Sequence, residues 1–378
     1  MPPSEHAVLS ASSANRWLHC PPSVRLSEGY MDKASVFAME GTSAHELCEY
    51  KLRSALGMEA ENPTENLDFY NTEMEECAEG YATYILELVE KAKETCSDPV
   101  IMVEQRVDFS RYVPEGFGTA DCIIIADDIL NIVDYKHGKG VEVSAEDNPQ
   151  MKLYALGALE LFDCLYDISK VQMTIFQPRL SNVSVFVMNK ADLLNWANDE
   201  LTAKAELAFE GKGELCCGEW CKFCKAKSNC KERARVNMEM AQYEFRKSSL
   251  LTDEEVVDIL SKVDELTSWA SDVKNFALEQ AVRGKQWPGW KVVEGRSNRK
   301  YTDESAVAQV VKNAGYNPYD EKIMGITNMT KMLGKEKFNE LLGDFVERPQ
   351  GKPTLVTEDD KRPEMNTAKE DFKEEIQL

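Results

Sequence analysis

Residues 119–136, Thr-Ala-Asp-Cys-Ile-Ile-Ile-Ala-Asp-Asp-Ile-Leu-Asn-Ile-Val-Asp-Tyr-Lys, decide the fold. Two apolar runs, Cys122–Ala126 and Ile129–Val133, flank the pair Asp127-Asp128. If that pair is a two-residue turn, residues whose numbers sum to 255 face each other, and Asp121 lies opposite Asp134. Strand side chains alternate faces, so Lys136 shares the face of Asp134. Like charges directly opposite each other destabilise a sheet. A divalent cation between them would remove that penalty, and the adjacent lysine would complete a phosphodiester-cleaving site. A simpler reading competes: acids at strand ends are often only solvated. Asp-Asp is also an imperfect turn pair, because the best two-residue turns carry Gly second. A slip of one residue would put the carboxylates on different faces.

The rest of the chain bounds what such a hairpin can belong to. Its 378 residues, 43% of them hydrophobic, suffice for two to three domains with a sizeable core. No apolar run approaches a membrane span. The opening MPPSEHAVLS has no basic segment followed by an apolar one. No secretion signal is read there, and cytoplasmic residence is the expectation. The net charge of −22 counts against non-specific DNA binding by the whole surface, without excluding a local basic groove. Acid concentrates in Glu59–Glu79 and the C-terminal tail, whereas Lys222–Arg235 carries six basic residues against Glu232 alone. Eleven cysteines, an odd number, argue against a disulfide framework. Cys48, Cys77, Cys96, Cys122 and Cys164 read as small buried hydrophobes.

Outward from the hairpin, Ser13–Cys20 reads as a short helix stopped by Pro21-Pro22. Ser43 and Glu46 form a capping-box pattern that starts a helix near Ser43 and ends it at Gly57. A long helix spans Glu73 to Thr95, and Val100–Val107 is a strand before the hairpin. Asn148-Pro149 opens a helix with Asn at the N-cap and Pro at the first helical position. Val171–Gln177 and Val183–Met188 read as strands and Ala191–Glu210 as a helix. Thr252–Arg283 is a further helix opened by a Thr252–Glu255 box, Trp287–Tyr301 a short β element, and Asp303–Leu342 two or three helices. The expected organisation is a mixed α/β unit over 1–240, a mainly helical accessory region over 241–345, and a charged, disordered tail over 346–378.

Three further patterns carry chemistry. His45 and Glu49 share a helix face, and His suits manganese better than magnesium. Gln150 and Tyr154 share the first turns of a helix whose N-terminus attracts phosphate, although either could be a core or solvated residue. Cys221-x2-Cys224-x5-Cys230 offers three thiols that can grip one metal centre. A fourth ligand must come from elsewhere: Cys216 and Cys217 are near, and Cys20 is remote but held at a helix end.

Together these residues resemble the RecB-type nucleases of the PD-(D/E)XK superfamily, in the branch with an iron–sulfur cluster. That branch includes CRISPR-associated adaptation nucleases and helicase-linked exonucleases. The matching elements are Gly41-Thr-Ser-Ala-His45, Gly118-Thr-Ala-Asp121, Asp134-Tyr135-Lys136 and Gln150-Met-Lys-Leu-Tyr154. One early cysteine, Cys20, is followed by three late ones, Cys221, Cys224 and Cys230. The resemblance covers residues 8–235 and implies a restriction-endonuclease-like core, a mixed central sheet flanked by helices. It also implies Cys20, rather than Cys216 or Cys217, as the fourth ligand of a 4Fe-4S cluster that staples the N-terminal helix to the end of the domain. Closing so long a loop restricts the unfolded chain, so the cluster reads as structural. Residues 240–378 bear only a weak likeness to phage-encoded RecB-like proteins.

The expected activity is a Mg²⁺- or Mn²⁺-dependent DNA nuclease, an exonuclease on single-stranded DNA in phage or bacterial recombination or replication. Asp121 and Asp134 would hold the metal with His45 and the Tyr135 carbonyl, and Lys136 would orient water or stabilise the transition state. Glu104 is a candidate outer-shell acid. Gln150 and Tyr154 would position the strand, and Arg179, Lys222, Arg233 and Arg299 are candidate phosphate contacts. A helicase, a single-strand-binding protein or an annealing protein would be the partner, in a bacterial or phage-infected cytoplasm. Two other classes compete: a non-catalytic DNA-binding or assembly subunit of a recombination complex, and a zinc-binding interaction protein. The first leaves the intact Asp121, Asp134 and Lys136 set without a purpose, and the second leaves the hairpin acids unexplained.

Overall fold

A computed structural model describes residues 7–30, 35–241, 251–294, 301–319 and 323–347. The chain divides into two units, Met1–Val293 and Glu294–Leu378. The first is a mixed α/β unit built on one five-stranded sheet.

Ala14–His19 (α1) and Ser23–Glu28 (α2) flank the Cys20-Pro21-Pro22 corner, and Val36–Ala55 (α3) and Thr72–Lys93 (α4) follow. Next come Val100–Asp108 (β1), Phe117–Ala126 (β2), Ile129–Tyr135 (β3), Pro149–Phe162 (α5), Lys170–Gln177 (β4) and Asn182–Asn189 (β5). Lys190–Trp196 (α6) and Thr202–Glu210 (α7) are joined by a π turn over Ala197–Leu201, where a single helix was expected. Lys231–Ala241 (α8) and Asp253–Val282 (α9) close the unit.

The strands lie in chain order, β1-β2-β3-β4-β5. All neighbours are antiparallel except β3 and β4, which are parallel and joined through α5. A parallel pair needs such a crossover, whereas the β2–β3 hairpin needs only two residues. Those residues are Asp127-Asp128, and Asp127 takes the left-handed conformation (φ 51°) that Asp tolerates without Gly. The hairpin ladder runs from Ala126 opposite Ile129 to Cys122 opposite Val133, every pair summing to 255.

Alternation divides the sheet's apolar residues between two cores. Ile123, Ile125, Leu130 and Ile132 face α5 and the N-terminal helices. Cys122, Ile124, Val133 and Tyr135 face α3 and α4. Asn148 caps α5 by accepting from the Gln150 and Met151 amides, and Pro149 occupies its first turn.

The α3 helix departs from expectation. It starts two turns before Ser43, with Ser35 accepting from the Ala38 amide as the cap, and Ser43 is buried inside it. Residues 287–293 of the first unit contain a turn at Pro288-Gly289 and no strand, and residues 295–300 of that expected β element lie outside the described residues. The second unit contains Glu304–Asn313 (α10), Ile326–Leu333 (α11) and Lys335–Leu342 (α12). The expected tail lies outside the described residues from 348 onward. Among the described residues no helix is long and apolar enough to cross a membrane.

Candidate metal centre and cysteine pocket

The register of the hairpin makes Asp121 and Asp134 the next facing pair beyond Cys122 and Val133. Both are buried, 9% and 2% exposed, on the α5 face of the sheet. The Tyr135 amide donates to Asp121 Oδ2 at 2.7 Å, which fixes that carboxylate against the end of β3. Lys136 Nζ sits 2.9 Å from Asp134 Oδ2 and donates to Gln150 Oε1 at 2.9 Å. Gln150 Nε2 in turn donates to Asp134 Oδ1 at 3.1 Å and to the Tyr154 hydroxyl at 3.1 Å. The four residues therefore form one network between β3 and the first turns of α5. Asp134 Oδ2 has the lysine charge beside it but no aligned hydrogen bond.

Two more side chains converge from other elements. His45, on α3, brings Nδ1 to 3.5 Å from Asp121 Oδ1. Glu104, in the middle of β1, has a left-handed backbone (φ 53°). A non-glycine residue in that region stores strain that the surrounding structure must hold in place. Ligand atoms of His45, Glu104 and Asp121 all lie within 4.8 Å of one another. The sequence reading gave Glu104 an outer role; the fold puts its carboxylate in the cluster itself.

The electrostatics follow from crowding acids in a partly dry site. Burial, then the Asp121 charge, pushes the Glu104 carboxyl up to about 8. Burial works against a charged His45, but the facing Asp121 outweighs it and pushes the imidazole up to about 9. Burial also disfavours the Asp121 charge, yet His45, the Tyr135 amide and Lys136 hold its pKa below the usual range. Asp134 is raised, chiefly by burial, with Lys136 opposing. The surroundings thus favour the ionised form of Asp121 and the protonated forms of Glu104 and His45, a pattern that a divalent cation would relieve. His45, Glu104 and Asp121, with the unaligned oxygen of Asp134, fit a hard or borderline cation. Tyr135 contributes its amide, while its ring lies in the opposite core with the hydroxyl 2.8 Å from His137 Nδ1.

Several expected DNA contacts are placed otherwise. Tyr154 is only 7% exposed, and a Cβ on Gly118 would come within 2.7 Å of its ring. The glycine admits the tyrosine, and the buried ring offers no face for stacking a base. Arg179 ion-pairs with Glu40 and Glu73, each at 3.0 Å, and is nearly buried. Arg233, 1% exposed, pairs with Glu265 at 2.7 Å and Asp272 at 2.6 Å on α9. Both arginines are internal ties rather than phosphate contacts. Lys222 is exposed, and Arg299 lies outside the described residues.

Cys20, Cys216, Cys217, Cys221, Cys224 and Cys230 line one small cavity between the α1–α2 corner and the turn Glu219–Phe223. The sequence separation between Cys20 and the late cysteines is therefore closed in space. Cys20 and Cys221 are buried, and burial raises both thiols. Burial and the neighbouring Cys221 push Cys217 up to about 12. Among the described residues no three of these sulfurs lie within 4.8 Å of one another.

A family model described as "Protein of unknown function (DUF2800)" matches residues 6–363. Among solved structures, that of the protein SSO0001 is 15% identical, covering 58% of this chain and 96% of that one, with a TM-score of 0.22. A "Putative exonuclease" from Eubacterium rectale is 10% identical, covering 64% of this chain and 90% of that one, with a TM-score of 0.33. Similarity of this degree carries no argument about activity, which rests on the site.

Proposed function

The chain belongs to the DUF2800 family, and from the geometry of its acid–lysine site we propose that it is a metal-dependent deoxyribonuclease of RecB type with a PD-(D/E)XK core. The observation that carries the reading is the buried, facing pair Asp121 and Asp134 with Lys136 beside Asp134, where Asp121 also belongs to a cluster with His45 and Glu104. His45, Glu104, Asp121 and Asp134 would hold Mg²⁺ or Mn²⁺. Bound there, the cation would lower the pKa of a coordinated water and offset charge on the phosphate.

The chain's own residues supply the rest. Lys136 is kept charged by Asp134 beside it, although burial opposes that charge. Gln150 Oε1 and Asp134 fix the position of its ammonium, so it is preorganised to stabilise charge on the scissile phosphate. Gln150 shares its amide between Asp134 and Tyr154 and so ties α5 to the acid. His45 must give up its proton to ligate, which couples metal binding to pH.

The cysteine pocket brings Cys20 to Cys221, Cys224 and Cys230, the four ligands that the RecB-type resemblance implies for a 4Fe-4S cluster. Such a cluster would staple the N-terminal helices to the end of the unit. The RecB-type resemblance points to end-dependent cleavage of single-stranded DNA. Lys222 remains the described basic candidate for a phosphate contact, and few such contacts mean a shallow salt dependence.

The experiment compares linear and circular single-stranded DNA, with the full chain in Mn²⁺ or Mg²⁺ and Asp134→Ala as control. Linear strands should be degraded, circles should persist, and the variant should be inert. Absence of cleavage with either metal would defeat the enzyme reading. Rapid cutting of circles would instead remove the end requirement.

A further inference from the structure

The two edges of the sheet are built differently. On the β1 edge, Glu104, Arg106 and Asp108 bring charge, the left-handed backbone at Glu104 breaks the flat strand, and Arg53 Nη2 donates to the Val103 carbonyl at 3.1 Å. These are the usual protections of an edge strand: charge, a kink and a covering side chain. Among the described residues β5 has neither the charge nor the kink, and Val143 and Ala145 of the preceding loop bond only the side chains of Asn182 and Ser184. Its eight residues, Asn182-Val-Ser-Val-Phe-Val-Met-Asn189, include no charge, no Pro and no Gly, in a chain with 110 charged residues (66 acidic and 44 basic). Among the described residues nothing bonds the outer backbone groups of this strand.

Its side chains divide by face. Phe186 and Met188 pack on the α5-side core, and Ser184 Oγ accepts from the Ala145 amide at 2.9 Å. On the opposite face Val183, Val185 and Val187 are 48%, 49% and 50% exposed, beyond Phe176, Thr174 and Gln172 of β4. They form an unbroken apolar stripe along a free edge.

We infer that β5 is a self-association edge, pairing antiparallel with β5 of a second copy about a twofold axis at Val185 to give one continuous sheet across a dimer. The strand pattern selects this occupant. In that register Val183 opposes Val187 of the other copy and Val185 opposes its own equivalent, so the three valines of each copy meet on one face. The spacing is even, so the outward backbone groups match as well as the side chains. A twofold interface requires this kind of self-complementarity. Charge agrees: two copies, each at −22, repel over most of their surfaces, and β5 is a long segment where they can meet without opposing charges. A basic peptide would find no acid on the strand to recognise. The inference does not depend on the nuclease reading.

The test is mass in solution over a concentration series, by sedimentation or light scattering, with circular dichroism as the check on folding. Wild type should reach twice the 42.7 kDa of one chain. Val185→Lys puts like charges against each other at the axis and should raise the dimer dissociation constant by roughly a hundredfold or more. Two double variants read the register while placing equal charge burdens on the strand. Val183→Lys with Val187→Glu should remain dimeric, because opposite introduced charges meet across the axis. Val183→Lys with Val187→Lys should be monomeric. A monomeric wild type, a Val185→Lys protein that dimerises as well as wild type, or equal behaviour of the two folded double variants would overturn the proposal.

Discussion

Glu104→Gln removes a charge that both burial and the neighbouring Asp121 oppose. The substitution keeps shape and removes one charge whose oxygen lies within 4.8 Å of an Asp121 oxygen. At that distance, with an effective dielectric near 20, two unit charges repel by about 3.5 kcal/mol. The pKa gives the whole cost of that charge, burial first and the Asp121 repulsion second. A carboxyl that ionises at about 8 in the fold and at 4.5 in the unfolded chain costs stability as pH rises from 4.5 to 8. Each unit is worth about 1.4 kcal/mol, so the total is on the order of 5 kcal/mol, to which burial contributes more than the Asp121 charge. The sign follows: the unfolded chain releases its proton first, so wild-type stability falls through that window and the cost is fully present above pH 8. The glutamine variant lacks this slope. His45, raised to about 9, stabilises below its unfolded pKa of 6.5 and loses that contribution as pH climbs through 9 in both proteins. In chelator, thermal unfolding at pH 5 and pH 8.5 should show wild type losing on the order of 10 °C more than Glu104→Gln. With Mn²⁺ at pH 8.5 the order should reverse, because the variant has lost a ligand. Parallel pH slopes for the two proteins, or a full Mn²⁺ shift in the variant, would refute the reasoning.

Other consequences can be checked separately. Lys136→Ala should abolish cleavage yet keep the Mn²⁺-induced rise in unfolding temperature, because the lysine contacts Asp134 and Gln150 without being a metal ligand. Anaerobically purified protein should be brown with about four irons per chain, and Cys20→Ala should lose as much iron as Cys224→Ala. Full iron in Cys20→Ala alongside loss in Cys216→Ala or Cys217→Ala would reassign the ligands. Arg233→Ala removes the partner of a half-exposed Glu265 and one of two partners of Asp272 and should cost about 1–3 kcal/mol in urea unfolding. A phosphate contact would instead weaken DNA binding at unchanged stability.

What could be read from the residues, and what could not, separates by the range of the interaction. The hairpin register was legible because its two apolar runs have a single two-residue break, and a shift in either direction would expose one run. The α5 start was legible because Asn148 and Pro149 act on the amides next to them. The α3 start was not: Val36, Phe37 and Met39 are all exposed, so the first two turns carry no buried periodicity, and the Ser43–Glu46 pattern lay inside the helix. Arg179 and Arg233 looked like phosphate contacts because basic residues are conspicuous in an acidic chain. Their partners, Glu40 and Glu73 for one and Glu265 and Asp272 for the other, stand 32 to 139 positions away, and no local pattern announces them. The same limit applies to Tyr154, whose burial depends on the missing side chain of Gly118, and to Glu104, whose left-handed backbone is imposed by tertiary packing.

That backbone bears on why the site is where it is. Three carboxylates, from β1, β2 and β3, are brought together with Lys136 and His45, and a protein seeking only stability would place none of the acids there. The fold holds them by spreading the cost. Asp121 remains ionised because an amide, an imidazole and an ammonium all favour its charge. Asp134 is anchored by Gln150 from α5. Glu104 is held through a strained conformation in a strand that is otherwise regular. Each compensation comes from a different element, so no single helix or strand could slip without separating the acids. Strain and like charge concentrated at one point, and supported from three strands and two helices, are what the proposed metal site would require of the fold.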